Sequence, residues 1–349
     1  MRKNCNFPHN AYLEVNARCG NPKVNDTMGN ITVAILGAQD YGANLGKKGT
    51  STDITLYNLK KGENTVTFIE PTRYPERLAP LFYAVALAKK AIVVVDEVNA
   101  TLGECLVMLQ CSDIHSGYIV LRNYIPKEKI QALIKGTSLE NFEIIKDDPN
   151  QVRESLLNEA AEQKPVEVPA GQQAVGTVPV DHAFNVKGVG TVVLGIVVYG
   201  VVQKHATLSV LPSAKSAQVR SIQKHDDEFD VAGEGDRVGL ALKNVVVEDL
   251  DRGAVLTSDS SVKTSTNLKV EASLVKYWQA PIKQGMVMHI GHWAQFITAK
   301  VEDTFDEGNW RKPTLTLTLD KPIVYRPNDK AVLMYLEGVK LRVAGTVLL

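Results

Sequence analysis

Cysteine is scarce and poorly placed for crosslinking. Cys5, Cys19, Cys105 and Cys111 form no CxxC pair and are too few for a disulfide framework, so a reducing compartment, the cytoplasm, is expected. Long apolar runs are missing too. The longest uncharged stretch, Gly188 to Gln203, is too short for a membrane span and is broken by Gly190, Gly195 and Gly200. Met1-Arg2-Lys3 leads into polar residues rather than an apolar segment, so no secretory leader is expected. Net charge is absent as well, Lys+Arg 39 balancing Asp+Glu 39, which argues against a non-specific nucleic-acid coat. What is present, 44% hydrophobic and 22% charged residues over 349 positions, predicts two or three folded domains.

Residues 1–29 are polar, with six asparagines and no sustained period, and read as an N-terminal arm. From Asn30 short apolar runs alternate with helical segments. Ile31–Leu36 is a buried-strand pattern, and Ile54–Tyr57 with Val66–Ile69 forms a hairpin across Lys61-Gly62-Glu63-Asn64. Pro75–Lys90 and Thr101–Cys111 carry helical spacing, Ala91–Val95 and Tyr118–Leu121 are strands, and Pro126–Lys135 is a helix closed by Gly136. Phe142–Ile145 is a strand, and a last helix runs from Asp148-Pro149 to about Glu162. Such alternation predicts a mostly parallel sheet covered by helices over 30–162.

Residues 163–173 (QKPVEVPAGQQ), with two prolines and a glycine, are a linker. Beyond them helical patterns stop. Short Val-rich strands and alternation such as Thr314–Leu319 (TLTLTL) predict two β-barrels, 174–262 and 263–349. The fold class expected is an α/β domain followed by two all-β barrels. Charge divides unevenly across it: 4 basic and 2 acidic residues in 1–29, 14 and 16 in 30–160, 10 and 13 in 161–266, 11 and 8 in 267–349. The two ends are basic and the middle is acidic, which suits modest, salt-sensitive nucleic-acid binding.

Gly37-Ala38-Gln39-Asp40-Tyr41-Gly42 follows the first strand, where backbone N–H groups can be aimed at phosphate. A full phosphate loop continues with Lys and then Ser or Thr; here the positions hold Ala43 and Asn44. On these residues alone, phosphate binding and an ordinary strand-to-helix turn both stay open. Asp226-Asp227-Glu228 reads as a solvated turn rather than a metal cluster. His289 and His292 match no zinc spacing, and Cys105 and Cys111 read as core. Trp278, Trp293 and Trp310 are left between burial and an RNA-facing role.

The stretch Asp181-His182-Ala183-Phe184-Asn185-Val186-Lys187-Gly188-Val189-Gly190-Thr191-Val192-Val193 resembles the opening of domain 2 of the translational GTPases. Gly233–Leu240 (GEGDRVGL) and Asp251–Leu256 (DRGAVL) resemble the second half of that domain, and Gly345–Leu348 (GTVL) its partner domain's closing strand. SelB fits the residue pattern best, with EF-Tu and the archaeal initiation factor two γ subunit as relatives. The resemblance covers 30–349 and implies a P-loop GTPase-like first domain with a degraded catalytic apparatus. The phosphate-loop Lys and Thr are lost, Ile69–Arg77 (IEPTRYPER) replaces switch II without its Gly and His, and Leu121–Ile125 (LRNYI) stands where the guanine-reading N-K-x-D belongs. Only 11 residues separate Gly42 from the next strand, too few for a helix and a full switch I.

By that resemblance, guanine nucleotide is implied at Gly37, Asp40, Tyr41, Gly42, Ala43, Asn44, Lys47, Arg122 and Asn123, with Ser51 as the candidate ligand of Mg²⁺. GTP would bind with little or no hydrolysis, because several charge-stabilising groups are missing together. The aminoacylated 3′ end of a tRNA is implied at Asp181, His182, Phe184, Gln223, His225 and Arg237, with Gln223 replacing the family's adenine-stacking Glu. Taken without the resemblance, Phe184 fills the barrel and Arg237 pairs with Asp236 or Asp181. The function implied is an elongation factor that binds and protects aminoacyl-tRNA, with the ribosome as a further partner. The alternatives are a slow GTPase using Lys47, Ser51 and Arg73, or a nucleotide-free scaffold for a protein or ribosomal partner. No domain for mRNA signals follows the second barrel, so selenocysteine recoding is not implied.

Overall fold

The computed structural model describes residues 29–163 and 174–349. The arm and most of the linker therefore lie outside the described residues, as do Cys5 and Cys19. The first domain runs β1 (Asn30–Leu36), β2 (Lys47–Ser51), β3 (Ile54–Lys61), β4 (Asn64–Pro71), α1 (Ala79–Ala86), β5 (Lys90–Val95), α2 (Ala100–Cys111), β6 (Gly117–Leu121), α3 (Lys127–Ile134), β7 (Glu143–Ile145) and α4 (Pro149–Ala161). The seven strands lie in the order β2-β3-β4-β1-β5-β6-β7. β1, β5, β6 and β7 pair in parallel, as expected for apolar runs separated by helices.

Two expectations about this domain change. The helix expected over Pro75–Lys90 is confined to Ala79–Ala86; the residues before it form a turn, and Lys90 already belongs to β5. The loop after β1 is followed by a 3₁₀ turn of four residues, Tyr41–Asn44, and then directly by β2. The short spacing between Gly42 and Ile54 thus replaces a helix with an extra edge strand.

After the linker come β8 (Gly176–Val186), β9 (Gly190–Ile196), β10 (Tyr199–Gln203), β11 (Thr207–Leu211), β12 (Lys215–Lys224), β13 (Asp227–Phe229), β14 (Val231–Gly233), β15 (Arg237–Lys243) and β16 (Val255–Thr257). Pairing runs β8-β16-β11-β12-β15-β9 and returns from β9 to β8, closing a six-stranded ring. The second barrel is closed by β17 (Lys263–Leu274), β20 (Thr314–Tyr325), β19 (Gln295–Phe305), β18 (Val287–His292), β21 (Lys330–Met334) and β22 (Val343–Leu348), in that neighbour order. Alternation decides its faces: in β20, Leu315, Leu317 and Leu319 point into the barrel while their threonine neighbours do not.

Contacts divide the chain into two units. Among the described residues, one holds 29–32, Gly42–Phe68, 150–163 and 174–259; the other holds Val33–Tyr41, Ile69–Pro149 and Ser260–Leu349. In the first unit the β2–β3 hairpin is bonded to the first barrel. Arg252 donates to Thr52 Oγ1 at 3.0 Å and to Asp53 at 3.4 Å, Thr52 Oγ1 meets His182 Nε2 at 3.2 Å, and Lys60 pairs with Asp227. In the second unit one apolar core runs from α1 and α2 into the second barrel, joining Phe82, Leu102 and Met108 with Val332, Met334 and Val343. Gly291 is required there, because a Cβ would lie 2.5 Å from the ring of Phe82.

Candidate functional site

In the second unit, the carboxyl ends of the strands carry the first set of expected site residues. Gly37 takes φ +93°, and any Cβ on it would lie 2.1 Å from the carbonyl oxygen of Val94, so only glycine lets the loop turn there. Asp40 is left-handed, at φ +58°, and its N–H donates to the Glu70 carboxylate, which is buried at 5% exposure. Tyr41 is 1% exposed; its hydroxyl donates to Asp147 at 3.0 Å, and the guanidinium of Arg122 lies 5.0 Å from its ring centre. Arg122 Nε donates to Asp147 at 2.7 Å and its Nη1 to Asp96 at 3.5 Å, while Asn123 donates to the Asp96 carbonyl at 2.9 Å. Burial, reinforced by the hydrogen bond to Asp147 and its charge, pushes the Tyr41 phenol well up, so it remains a donor.

The first unit contains a cleft of about 740 Å³. One wall is the segment from Ala43 through β2 and β3, including Asn44, Lys47 and Lys48. Another is Arg153 of α4, and the barrel supplies Gln223, His225 and Arg237. The structure thus brings together three of the six residues expected at a tRNA end, and adds Lys47, Ala43 and Asn44 to them. Lys47 and Lys48 are exposed, and among the described residues neither they nor Arg153 is engaged with a carboxylate. Leu56 and Leu194 give the cleft an apolar portion.

Arg237 is anchored from behind. Its guanidinium pairs with Asp181, a carboxylate 2% exposed, whose backbone carbonyl also accepts from Arg252 at 3.2 Å. Burial opposes the charge of Asp181, but Arg237 and the neighbouring His182 outweigh it and hold the carboxyl below its ordinary range. Of the two readings open for Arg237, pairing with Asp181 and facing the cleft, the geometry contains both. Asp236 instead takes Lys224 at 2.9 Å. His225 sits in the left-handed turn between β12 and β13, at φ +46°. Burial, then the charges of Arg237 and Lys60, push its imidazole down to about 4, leaving it neutral at pH 7. His182 meets Thr52 rather than the cleft, and Phe184, half-buried, joins neither the cleft nor the barrel core.

The remaining candidates are accounted for locally. Ser51 Oγ lies 2.9 Å from Thr55 Oγ1. Asp226 lies in the turn after β12, whereas Asp227 and Glu228, expected in that turn, open strand β13; all three are exposed, and among the described residues no group of three His, Cys, Asp or Glu side chains is placed to hold a metal ion. His289 stacks on Phe296 and His292 lies 3.2 Å from Asp329. Cys105 and Cys111 are buried thiols pushed up to about 12 by burial. Trp278 is buried edge-on against Tyr335. Sequence reasoning missed Glu70, Asp96, Asp147, Lys48 and Arg153. A charged residue closing an apolar strand, as in Phe68-Ile69-Glu70, was the available signal for the first.

Among the described residues, no helix is long and apolar enough to cross a membrane. Residues 190–257 match the profile of elongation factor Tu domain 2. An uncharacterized protein of Methanocaldococcus jannaschii is 37% identical over 320 residues, covering 91% of this chain and 99% of that protein. The selenocysteine-specific elongation factor of the same organism is 25% identical over 277 residues, 74% of this chain and 58% of that protein. Among solved structures, translation elongation factor SelB from Methanococcus maripaludis, in complex with the GTP analogue GppNHp, superposes with a TM-score of 0.76 at 21% identity, over 93% of this chain and 79% of that one.

Proposed function

The chain belongs to the translational GTPase family, as a translation factor of the elongation factor Tu type, and from that premise we propose that it carries an aminoacyl-tRNA in the cytoplasm and shields its ester. The observation that carries this reading is the cleft of the first unit. It is large enough for a terminal nucleoside with its aminoacyl group and is lined by Gln223, His225, Arg237, Lys47, Lys48 and Arg153. Each residue type suits one part of such a ligand. The amide plane of Gln223 offers a stacking face for adenine, the cationic groups suit phosphodiesters, and the leucine-lined portion suits an amino-acid side chain. A neutral His225 gives one donor and one acceptor without adding charge. Arg237, held by buried Asp181, is a fixed donor for an ester or ribose oxygen.

Shielding requires no chemistry from the protein. An ester enclosed between the β2–β3 hairpin and the barrel is removed from water, and its hydrolysis slows in proportion to the bound fraction. Hydrolysis of GTP forms no part of this reading, since Ala43 and Asn44 replace the Lys and hydroxyl that phosphoryl transfer uses. The test is the half-life of the ester across a panel of charged tRNAs. The protein is expected to lengthen it for at least one tRNA. Lys47→Glu combined with Lys48→Glu is expected to weaken protection about tenfold or more through lost phosphate contacts. Unchanged decay for every amino acid refutes the proposal.

A further inference from the structure

In an open sheet with parallel strands, ligands bind at the carboxyl edge of the strands. Here every loop at that edge is bonded to another. The loop after β1 reaches the end of β4 through Asp40 and Glu70, and reaches the loop after β7 through Tyr41 and Asp147. The loop after β6 reaches β5 and β7 through Arg122 and Asn123. A phosphate loop needs free N–H groups and the positive end of a helix behind them. Here the Asp40 N–H is given to an internal carboxylate, and a four-residue 3₁₀ turn offers no helix dipole.

Charge at the edge points the same way. Asp40, Glu70, Asp96 and Asp147 stand there, and the guanidinium of Arg122 is already shared between Asp96 and Asp147. A nucleotide with its phosphates would bring three or four negative charges into this carboxylate-rich edge. The Tyr41 ring is buried there, its hydroxyl on Asp147 and the guanidinium of Arg122 5.0 Å from its centre, so the loops after β1, β6 and β7 are tied together by side chains of the protein itself. The residues present do not fit the nucleotide that the fold family implies.

We infer that the chain's own side chains stand in for that nucleotide, Glu70 for a phosphate and Tyr41 with Arg122 for the base, so that the edge holds one conformation with no guanine nucleotide bound. The segment beyond Glu70 is fixed in the same unit. The Tyr74 hydroxyl shares its one proton between the Glu104 carboxylate at 3.1 Å and the Thr101 carbonyl at 3.0 Å, and Arg342 donates to the Pro75 carbonyl at 3.0 Å. The stretch occupying the place of switch II therefore has bonded partners on α2 and in the second barrel, and needs no bound ligand to hold it. The inference concerns this edge alone and stands or falls independently of the tRNA reading.

The test is calorimetric titration of the full chain with GTP, GDP and GppNHp, each with Mg²⁺, alongside thermal melts. A ligand at a hundred times its Kd would raise the melting temperature by several degrees, so the expected result at about 1 mM is no saturable heat and a shift of less than about 1 °C. Saturable binding of any of the three overturns the inference. Glu70→Ala removes the internal anion and strands the Asp40 N–H, so its melting temperature is expected to fall by several degrees. A variant that melts with the wild type shows that Glu70 is not holding the loop, and also overturns the inference. The wild-type titration decides the matter even where the variant does not fold.

Discussion

Replacing Arg342 with methionine should be among the most damaging single changes in the second unit, and its cost can be worked from the surroundings of Glu104. That carboxylate, 6% exposed on α2, accepts from the Arg342 backbone N–H at 2.8 Å, from its Nε at 3.1 Å, from its Nη2 and from the Tyr74 hydroxyl. Arg342→Met leaves the backbone and Tyr74 bonds but removes the counter-charge and both guanidinium bonds. Stranding a buried charge in this way costs about 3–5 kcal/mol, and the partial exposure of Arg342 favours the lower end. At a urea slope of about 2 kcal/mol/M, about 3 kcal/mol lowers the midpoint by about 1.5 M. Tryptophan fluorescence is the suitable probe, since Trp278, Trp293 and Trp310 all lie in the second barrel. Adding Glu104→Gln removes the stranded charge; its carbonyl oxygen can accept from the Arg342 backbone N–H while its NH2 donates to the Tyr74 hydroxyl oxygen, whose proton goes to the Thr101 carbonyl, so the double variant should recover about 2 kcal/mol. A cost under about 1 kcal/mol for Arg342→Met, or no recovery in the double variant, refutes the account of this pair.

Two further expectations concern pH and packing. The imidazole of His225 is pushed down to about 4 from an ordinary value near 6.5, so the unfolded chain takes up the proton first. Its contribution is complete above pH 6.5 and is lost as pH falls from there toward about 4, amounting to about 2 kcal/mol by pH 5. Urea midpoints at pH 7.5 and 5 should therefore separate less for His225→Asn than for the wild type, and equal separations would remove His225 from the explanation. Gly291→Ala should cost about 1–3 kcal/mol, because the new methyl meets a buried Phe82 ring packed in turn on Phe296. An unchanged thermal midpoint would show that the ring can yield.

Periodicity made the architecture readable. Thr314–Leu319 alternates with period two and becomes β20, Thr101–Cys111 has helical spacing and becomes α2, and the prolines and glycine of 163–173 mark the change from helical to strand patterns. Local signals failed where a tertiary partner decides the outcome. Pro75–Lys90 is apolar enough for a longer helix, but Tyr74 and the Pro75 carbonyl are claimed by Glu104 and Arg342, whose numbers give no hint of their proximity. The same holds at the edge of the sheet. Arg122 and Asn123 could be placed on a loop after β6 from sequence, whereas their engagement with Asp96 and Asp147 required the loops to be brought side by side. In the cleft, Gln223, His225 and Arg237 were found through their likeness to known relatives. Arg153 lies on a helix of the first domain, and nothing in its local pattern distinguishes it from a solvated arginine.

The apolar core shared by Phe82, Leu102 and Met108 with Val332, Met334 and Val343 also sets the order in which the protein can mature on the ribosome that makes it. Synthesis is vectorial, and the first domain emerges long before the strands that complete its core. Until Val343 leaves the exit tunnel, the helices α1 and α2 present an uncovered apolar face, and Glu104 has no arginine to meet it. Closure of that core joins residues more than 200 positions apart, a high-contact-order step that cannot be brought forward by local propensity. The nascent chain must keep its amino-terminal half in waiting until the last β-strand arrives.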